Sequence, residues 1–402
     1  VLTIREILVD ADWVLWGSLN DMLPDLAEAA PNEFLTAVEN TLAMNPCPFD
    51  ELFEQEGTGV FSANYMVGLL WALETLAWDE ELHVRTCVAL AELASHDPGG
   101  KWANRPINSL AEIMLPWLPQ TIATVEKRQV ALKTICREQP LVGWKLLISL
   151  LPNQHRTSTP NRKPKWRNII PEDWDKGVTR DEYWQQSSFC AEQAVSLVGL
   201  DLDKISQLVD QFDHLPTTAS AQLIEVITSE EITQLGEKER LLLWNRTSKF
   251  IAKHRRFSDA KWALGKEQLA PLVSANEGIA PLTPFFLHNR LFSDRSGDLY
   301  ERKGDWREQE EQLNEDRRTA VSEILDLGGV ELVVKFSYTI ENPRLVGRAL
   351  GEVSNSGIDT FLLPEKLIEN DSVLWNLCSH YAWSRRYALG WKWFDDIEKL
   401  NW

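Results

Sequence analysis

Apolar residues recur along most of this chain at intervals of three and four, the spacing that gathers them on one side of an α-helix. The clearest stripe is Leu82, Thr86, Ala89, Leu90 and Leu93, which predicts a helix over 80–96. Val84, Val88 and Ala91 give it a second apolar side, as expected of a helix held between neighbours in a stacked array. Before it, 64–78 is apolar almost throughout, and Val67, Leu70, Trp71 and Ala77 are expected inside. After it, 122–138 carries Ala131, Leu132 and Ile135, and 141–151 carries Leu141, Val142, Trp144, Leu147, Ile148 and Leu151. The same period predicts helices over 202–213, 217–228, 237–256, 305–327, 343–352, 361–368 and 371–400. Residues 330–340 alternate in a strand-like way, but their neighbours are helical, so they too are read as helix.

Turn residues punctuate this pattern. Residues 1–60 divide into three or four short helices at Pro24, Pro31, Pro46 and Pro48. Asp97-Pro-Gly-Gly100 stops the 80–96 helix, because proline lacks an amide hydrogen and glycine tolerates positive φ. Pro106 then opens a short helix bearing Ile107, Leu110, Ala111, Met114 and Leu115, which Pro116 and Pro119 close. Thr179 with Glu182 has the spacing of a capping box. It leads into a helix whose expected face is Trp184, Ser188, Ala191, Val195 and Val198, and Gly199 stops it. Thr228 with Glu231 repeats that spacing, and Gly328-Gly329 ends the 305–327 helix, whose stripe is Leu313, Ala320, Ile324 and Leu327. Glu138-Gln-Pro-Leu-Val-Gly143 and Glu341-Asn-Pro-Arg-Leu-Val-Gly347 echo one another, which suggests degenerate two-helix repeats. The expected architecture is therefore all-α, an α-solenoid of degenerate helix-hairpin repeats of tetratricopeptide or HEAT type. It is organised as repeats over 1–152, a long basic, tryptophan-containing surface loop over 153–178, and repeats over 179–402.

Composition narrows the function. The 402 residues are 44% hydrophobic and 25% charged, enough to bury a core, but the formal net charge of -19 repels phosphate backbones and anionic lipid. Neither nucleic acid nor a membrane is an expected partner. Cys47, Cys87, Cys136, Cys190 and Cys378 are odd in number and lie in apolar helical patterns, as buried thiols of a reduced, cytoplasmic protein would. No apolar run reaches the roughly 20 residues of a membrane span. The chain starts at Val1 and finishes in a helical pattern, so it is read as a segment of a longer protein.

Reactive motifs are lacking. There is no P-loop, dinucleotide fingerprint, His-Glu-x-x-His, Gly-x-Ser-x-Gly or Cys-x-x-Cys, and the seven histidines are scattered singly. No catalytic residue, cofactor or metal is therefore assigned, and an enzyme is not expected in this segment. The one local electrostatic feature is the basic group Arg156, Arg162, Lys163, Lys165, Trp166 and Arg167. It would suit an acidic patch on a partner protein or a phosphate, or it neutralises the acidic body of its own chain. Lys249, Lys253, His254, Arg255 and Arg256 end a predicted helix, where the dipole favours cations, and the mixed charges over 302–318 read as a solvated face. Most of the 18 tryptophans are expected to lock helix layers, with their indole N–H groups bonded to turn carbonyls.

The 97–121 stretch, together with Ile148-Ser-Leu-Leu-Pro-Asn153, Thr157-Ser-Thr-Pro160 and Pro164-Lys-Trp-Arg167, resembles a pattern in very large bacterial proteins. These are the STAND-type (Avs-like) NTPases of antiphage defence and related sirtuin-associated defence proteins. Arg317-Arg-Thr-Ala-Val321, Gly328-Gly329, Asn342-Pro, Leu345-Val-Gly347 and Leu389-Gly-Trp391-Lys-Trp393 look similar to the same helical regions. The best match covers about 84–175. The resemblance implies a C-terminal helical-repeat sensor that binds a phage protein, such as the large terminase or the portal. Binding would drive oligomerisation and activate an effector elsewhere in the full-length protein. Nucleotide-binding motifs are absent here, so only the sensor role carries over. The alternatives are a generic helical-repeat interaction scaffold or regulatory domain, and a hydrolase with an unrecognised site.

Overall fold

The computed structural model describes residues 2–55, 64–153, 156–363, 366 and 370–398. Among them the secondary structure is entirely α-helix, with short 3-10 turns and no strand. None of these helices is long and apolar enough to cross a membrane. The chain separates into two compact units. One is Val1–Gly199 with His214–Gln222, and the other is Leu200–Asp213 with Leu223–Trp402. The 153–178 stretch thus lies inside the first unit.

The first unit is built around the helix His83–His96. It packs against Pro31–Leu42, Val67–Ala77, Pro106–Ile113, Val125–Glu138 and Pro140–Leu150. Its predicted stripe is buried throughout. Asp97 ends it in an extended conformation, Gly99 takes φ +80°, and Pro106 occupies the first turn of Pro106–Ile113. Thr124 caps Val125–Glu138, its side chain accepting from the Lys127 amide. Residues 2–55 hold more helix than the prolines suggest, namely Leu2–Leu8, Trp13–Ser18, Leu23–Ala29, Pro31–Leu42 and Pro48–Glu54 with a 3-10 turn at Asn20–Met22. Leu141 and Trp71 are exposed instead of buried.

The second unit has its core where Trp306–Ser337, Pro343–Val353 and Ser372–Leu389 meet, around Phe292, Val321, Ile324, Phe336, Leu350 and Tyr381. Gly329 at φ +67° breaks Trp306–Ser337, so the helical geometry stops at the glycine pair and restarts at once. Gly390, at φ +73°, likewise divides the predicted 371–400 helix into Ser372–Leu389 and Trp391–Glu398. A helix is present over Ser356–Leu362, whereas half of the predicted 361–368 element and residues 399–402 lie outside the described residues.

Two expectations change in detail. The cap expected at Thr228 is Ser229, whose hydroxyl accepts from the Ile232 amide. The internal echo resolves into shared local grammar with different packing. A Cβ on Gly143 would lie 2.7 Å from Cys136 Cα, in the preceding helix, whereas one on Gly347 would lie 2.1 Å from the Leu377 carbonyl oxygen, in a following helix.

Candidate functional site

The predicted basic stretch is an extended segment laid over the helices of the first unit. An extended chain outside a sheet must still pair its backbone groups. Here carboxylate and amide side chains from the helices do that work. Glu112, on Pro106–Ile113, accepts from the Ser158 hydroxyl at 3.1 Å and the Thr159 amide at 3.0 Å. Gln120, fully buried, holds the next residues at both ends of its amide, with Nε2 donating to the Thr159 carbonyl at 2.8 Å and Oε1 accepting from the Asn161 amide at 2.6 Å. Glu74, on Val67–Ala77, accepts from the Arg162 amide at 2.8 Å and the Ser109 hydroxyl at 2.6 Å. The Trp78 indole donates to the Arg162 carbonyl at 3.0 Å. Finally Glu28, on Leu23–Ala29, accepts from the amides of Lys165, Trp166 and Arg167 at 2.7, 2.8 and 3.2 Å.

The cations of this stretch have partners within the same unit. Arg156 approaches Glu112 at 4.0 Å, Arg162 lies over the Trp71 ring at 5.3 Å, and Arg167 pairs with Asp79. Lys163 Nζ sits 4.1 Å from the Trp174 ring centre and Lys165 Nζ 4.4 Å from that of Trp166. Trp166 donates to Asp25 at 3.1 Å, and Trp174 donates to the Pro119 carbonyl at 2.8 Å. The side chains of Arg162, Lys163, Lys165 and Trp166 nevertheless remain on the surface. The three receiving glutamates were not legible as a site. Only Glu74 left a signal, as a single acid in an apolar run. Burial pushes its carboxyl above the usual range, against the pull of the Arg162 amide and the Ser109 hydroxyl.

A second feature stands on the last two helices of the second unit. Trp375, Trp383 and Tyr387 recur at multiples of four along Ser372–Leu389 and are all at least half exposed. Trp383 and Tyr387 stack at 5.6 Å with an interplanar angle of 13°. Arg386 lies 4.3 Å from the centre of the Trp391 ring, and Trp391 meets Phe394 edge-on at 6.3 Å. Trp391 and Phe394 are 67% and 52% exposed, so this is an aromatic face in water. It corrects the expectation for tryptophan. Among the described residues, Trp16, Trp78, Trp144, Trp244 and Trp393 are buried, but nine others, Trp375, Trp383 and Trp391 among them, are exposed.

The His83–Cys87 pair inside the first unit is sealed. His83 is fully buried, with Nδ1 3.1 Å from the Thr121 hydroxyl and its ring nitrogens 3.8 and 4.0 Å from Cys87 Sγ. Burial lowers its pKa to about 4, outweighing the contact with the Ala77 carbonyl, and burial raises the Cys87 thiol. A neutral imidazole beside a protonated thiol with no path to solvent is packing, not an activated nucleophile. All five cysteines are buried and none is in a disulfide.

The chain matches no protein-family model, no curated protein and no solved structure.

Proposed function

We propose that this chain is the target-recognition segment of a larger antiphage defence protein, a degenerate helical-repeat array that binds a phage protein and triggers an effector elsewhere in the full-length chain. The observation that carries a protein-binding role is the exposed aromatic face of Trp375, Trp383, Tyr387, Trp391 and Phe394 with Arg386. Tryptophan, tyrosine and arginine are the residues that dominate binding energy at protein interfaces. Large aromatic side chains gathered in water mark a surface that is covered in use. The cations at Arg162, Lys163 and Lys165 offer a separate contact for an acidic partner. The defence context rests on the resemblance of 97–121 and its companion motifs, and a packaging protein such as the terminase or portal is the partner it implies. Affinity capture on the full chain from phage-infected cells tests this. Enrichment of a virion or packaging protein supports the sensor reading. Capture of host proteins alone supports the second reading, a generic interaction scaffold, which the same aromatic face would serve.

A further inference from the structure

The geometry points to a divalent-metal site of zinc type at Cys47, Asp50 and His96 in the first unit. Their ligand atoms, one sulfur, one carboxylate oxygen and one imidazole nitrogen, all lie within 4.8 Å of one another. Cys47 and Asp50 are three residues apart at the start of Pro48–Glu54, which places both side chains on one side of that turn. His96 comes from a distant part of the sequence, the last turn of His83–His96, and its Nδ1 is 2.7 Å from Asp50 Oδ1. A histidine–aspartate hydrogen bond alone would account for that contact. The buried thiol beside it adds the third donor; its sulfur lies 3.6 Å from the Thr41 carbonyl and also faces the backbone amides of Phe49 and Asp50.

The donor set selects the ion. A thiolate and a carboxylate together carry two negative charges, which a divalent ion neutralises, and the thiol proton leaves to solvent when it binds. Sulfur excludes magnesium and calcium as good matches, while mixed sulfur, nitrogen and oxygen ligands suit zinc or cobalt. Tetrahedral zinc with bonds of about 2.0–2.3 Å spaces its ligands by roughly 3.3–3.8 Å. To take the ion, the His96–Asp50 pair opens by about half an ångström and the sulfur, no more than 4.8 Å from either, closes in. Asp50 and His96 side chains are 49% and 26% exposed, so the ion has a way in, and solvent takes the fourth position. The bound ion would fasten the 43–47 turn to the end of the central helix.

The test is a titration of the metal-stripped full chain with cobalt(II), followed by displacement with zinc. One equivalent should bind, with a thiolate-to-cobalt charge-transfer band and the strong visible absorption of a four-coordinate ion. Cys47→Ser should abolish the charge-transfer band. His96→Asn and Asp50→Asn should weaken zinc binding by more than the roughly 10–100-fold that losing an outer-shell partner costs. Asp50 is half exposed, so Asp50→Asn keeps the fold and carries the test even if Cys47→Ser does not. A cobalt spectrum without the charge-transfer band, or zinc affinity unchanged in both Asp50→Asn and His96→Asn, overturns the assignment.

Discussion

Asp359 and Arg385 meet through two parallel hydrogen bonds, Nε to Oδ1 at 3.0 Å and Nη2 to Oδ2 at 2.9 Å, with both side chains less than a tenth exposed. The Asp359 carboxylate also accepts from the Tyr381 hydroxyl at 2.6 Å and the Trp393 indole at 3.1 Å. One buried anion thus ties Ser356–Leu362 to the two helices that carry the aromatic face. Trp393 is drawn inward, which leaves Trp391 and Phe394 outward. Burial opposes the charged form, yet the bonds from Arg385, Tyr381 and Trp393 outweigh it and hold the carboxyl below its usual range.

Removing only one member of that pair strands a buried charge. Asp359→Ala should cost the second unit about 3–5 kcal/mol in urea unfolding, whereas the double substitution Asp359→Leu with Arg385→Met should cost clearly less. Because the folded pKa is depressed, the stabilisation is complete above the unfolded value and is lost as pH falls through the folded one. A double variant as damaging as Asp359→Ala would mean that the charges themselves are not the source.

His83 gives the first unit a pH dependence of its own. Its folded pKa, about 4, is below the unfolded value of 6.5, so the unfolded chain takes up a proton that the folded one refuses. Stability should fall as pH drops from about 6.5 towards 4, by about 3 kcal/mol in total. Thermal melts across that window check this, and His83→Gln should flatten the slope. A slope that persists in His83→Gln assigns it to other groups.

The extended 156–167 segment should be only as secure as its side-chain anchors. Glu28→Ala leaves three amides without their acceptor, and Gln120→Ala frees the Thr159 carbonyl and the Asn161 amide. Each loss of about 1–3 kcal/mol of local stability should speed tryptic cleavage after Lys165 by about fivefold or more. Cleavage at the wild-type rate would show that the segment is held elsewhere.

Close approach between Pro343–Val353 and Ser372–Leu389 depends on two glycines. A Cβ on Gly351 would lie 2.6 Å from Ser384 Cβ, and one on Gly347 would meet backbone. Gly347→Ala should therefore cost at least the ~1–3 kcal/mol of core overpacking. Gly390→Ala meets no atom and should cost only the ~1–2 kcal/mol of left-handed backbone. Chemical denaturation of the two variants ranks them, and a milder Gly347→Ala would refute the packing argument.

What could be read from the sequence was local. The Leu82-to-Leu93 stripe is buried, Pro106 starts its helix, and Thr179 caps Arg180–Ser196 as its spacing predicts. The reciprocal half of that capping box failed for a long-range reason, since the Glu182 carboxylate is taken by the fully buried Arg128. Trp71 is exposed because a nearly all-apolar helix does not reveal which side meets water, and Leu327, also exposed, lies directly before the Gly328–Gly329 break in its own helix. The anchoring of residues 156–167 joins Glu28 to Trp166 across most of a unit's sequence, a relation that no periodicity encodes. The aromatic face did leave a trace, aromatics at four-residue spacing opposite Leu374, Leu377, Cys378 and Tyr381, but it lies beside tryptophans that are core.

The most direct measurement is calorimetric titration of the chain with purified phage portal and large-terminase proteins, repeated with Tyr387→Ala and Trp391→Ala together. Both side chains are exposed, so the double variant should fold as the parent does. A complex with one of these proteins, weakened by 2 kcal/mol or more (about thirtyfold) in the double variant, is the predicted result. No complex with either, or one of unchanged affinity, would contradict it.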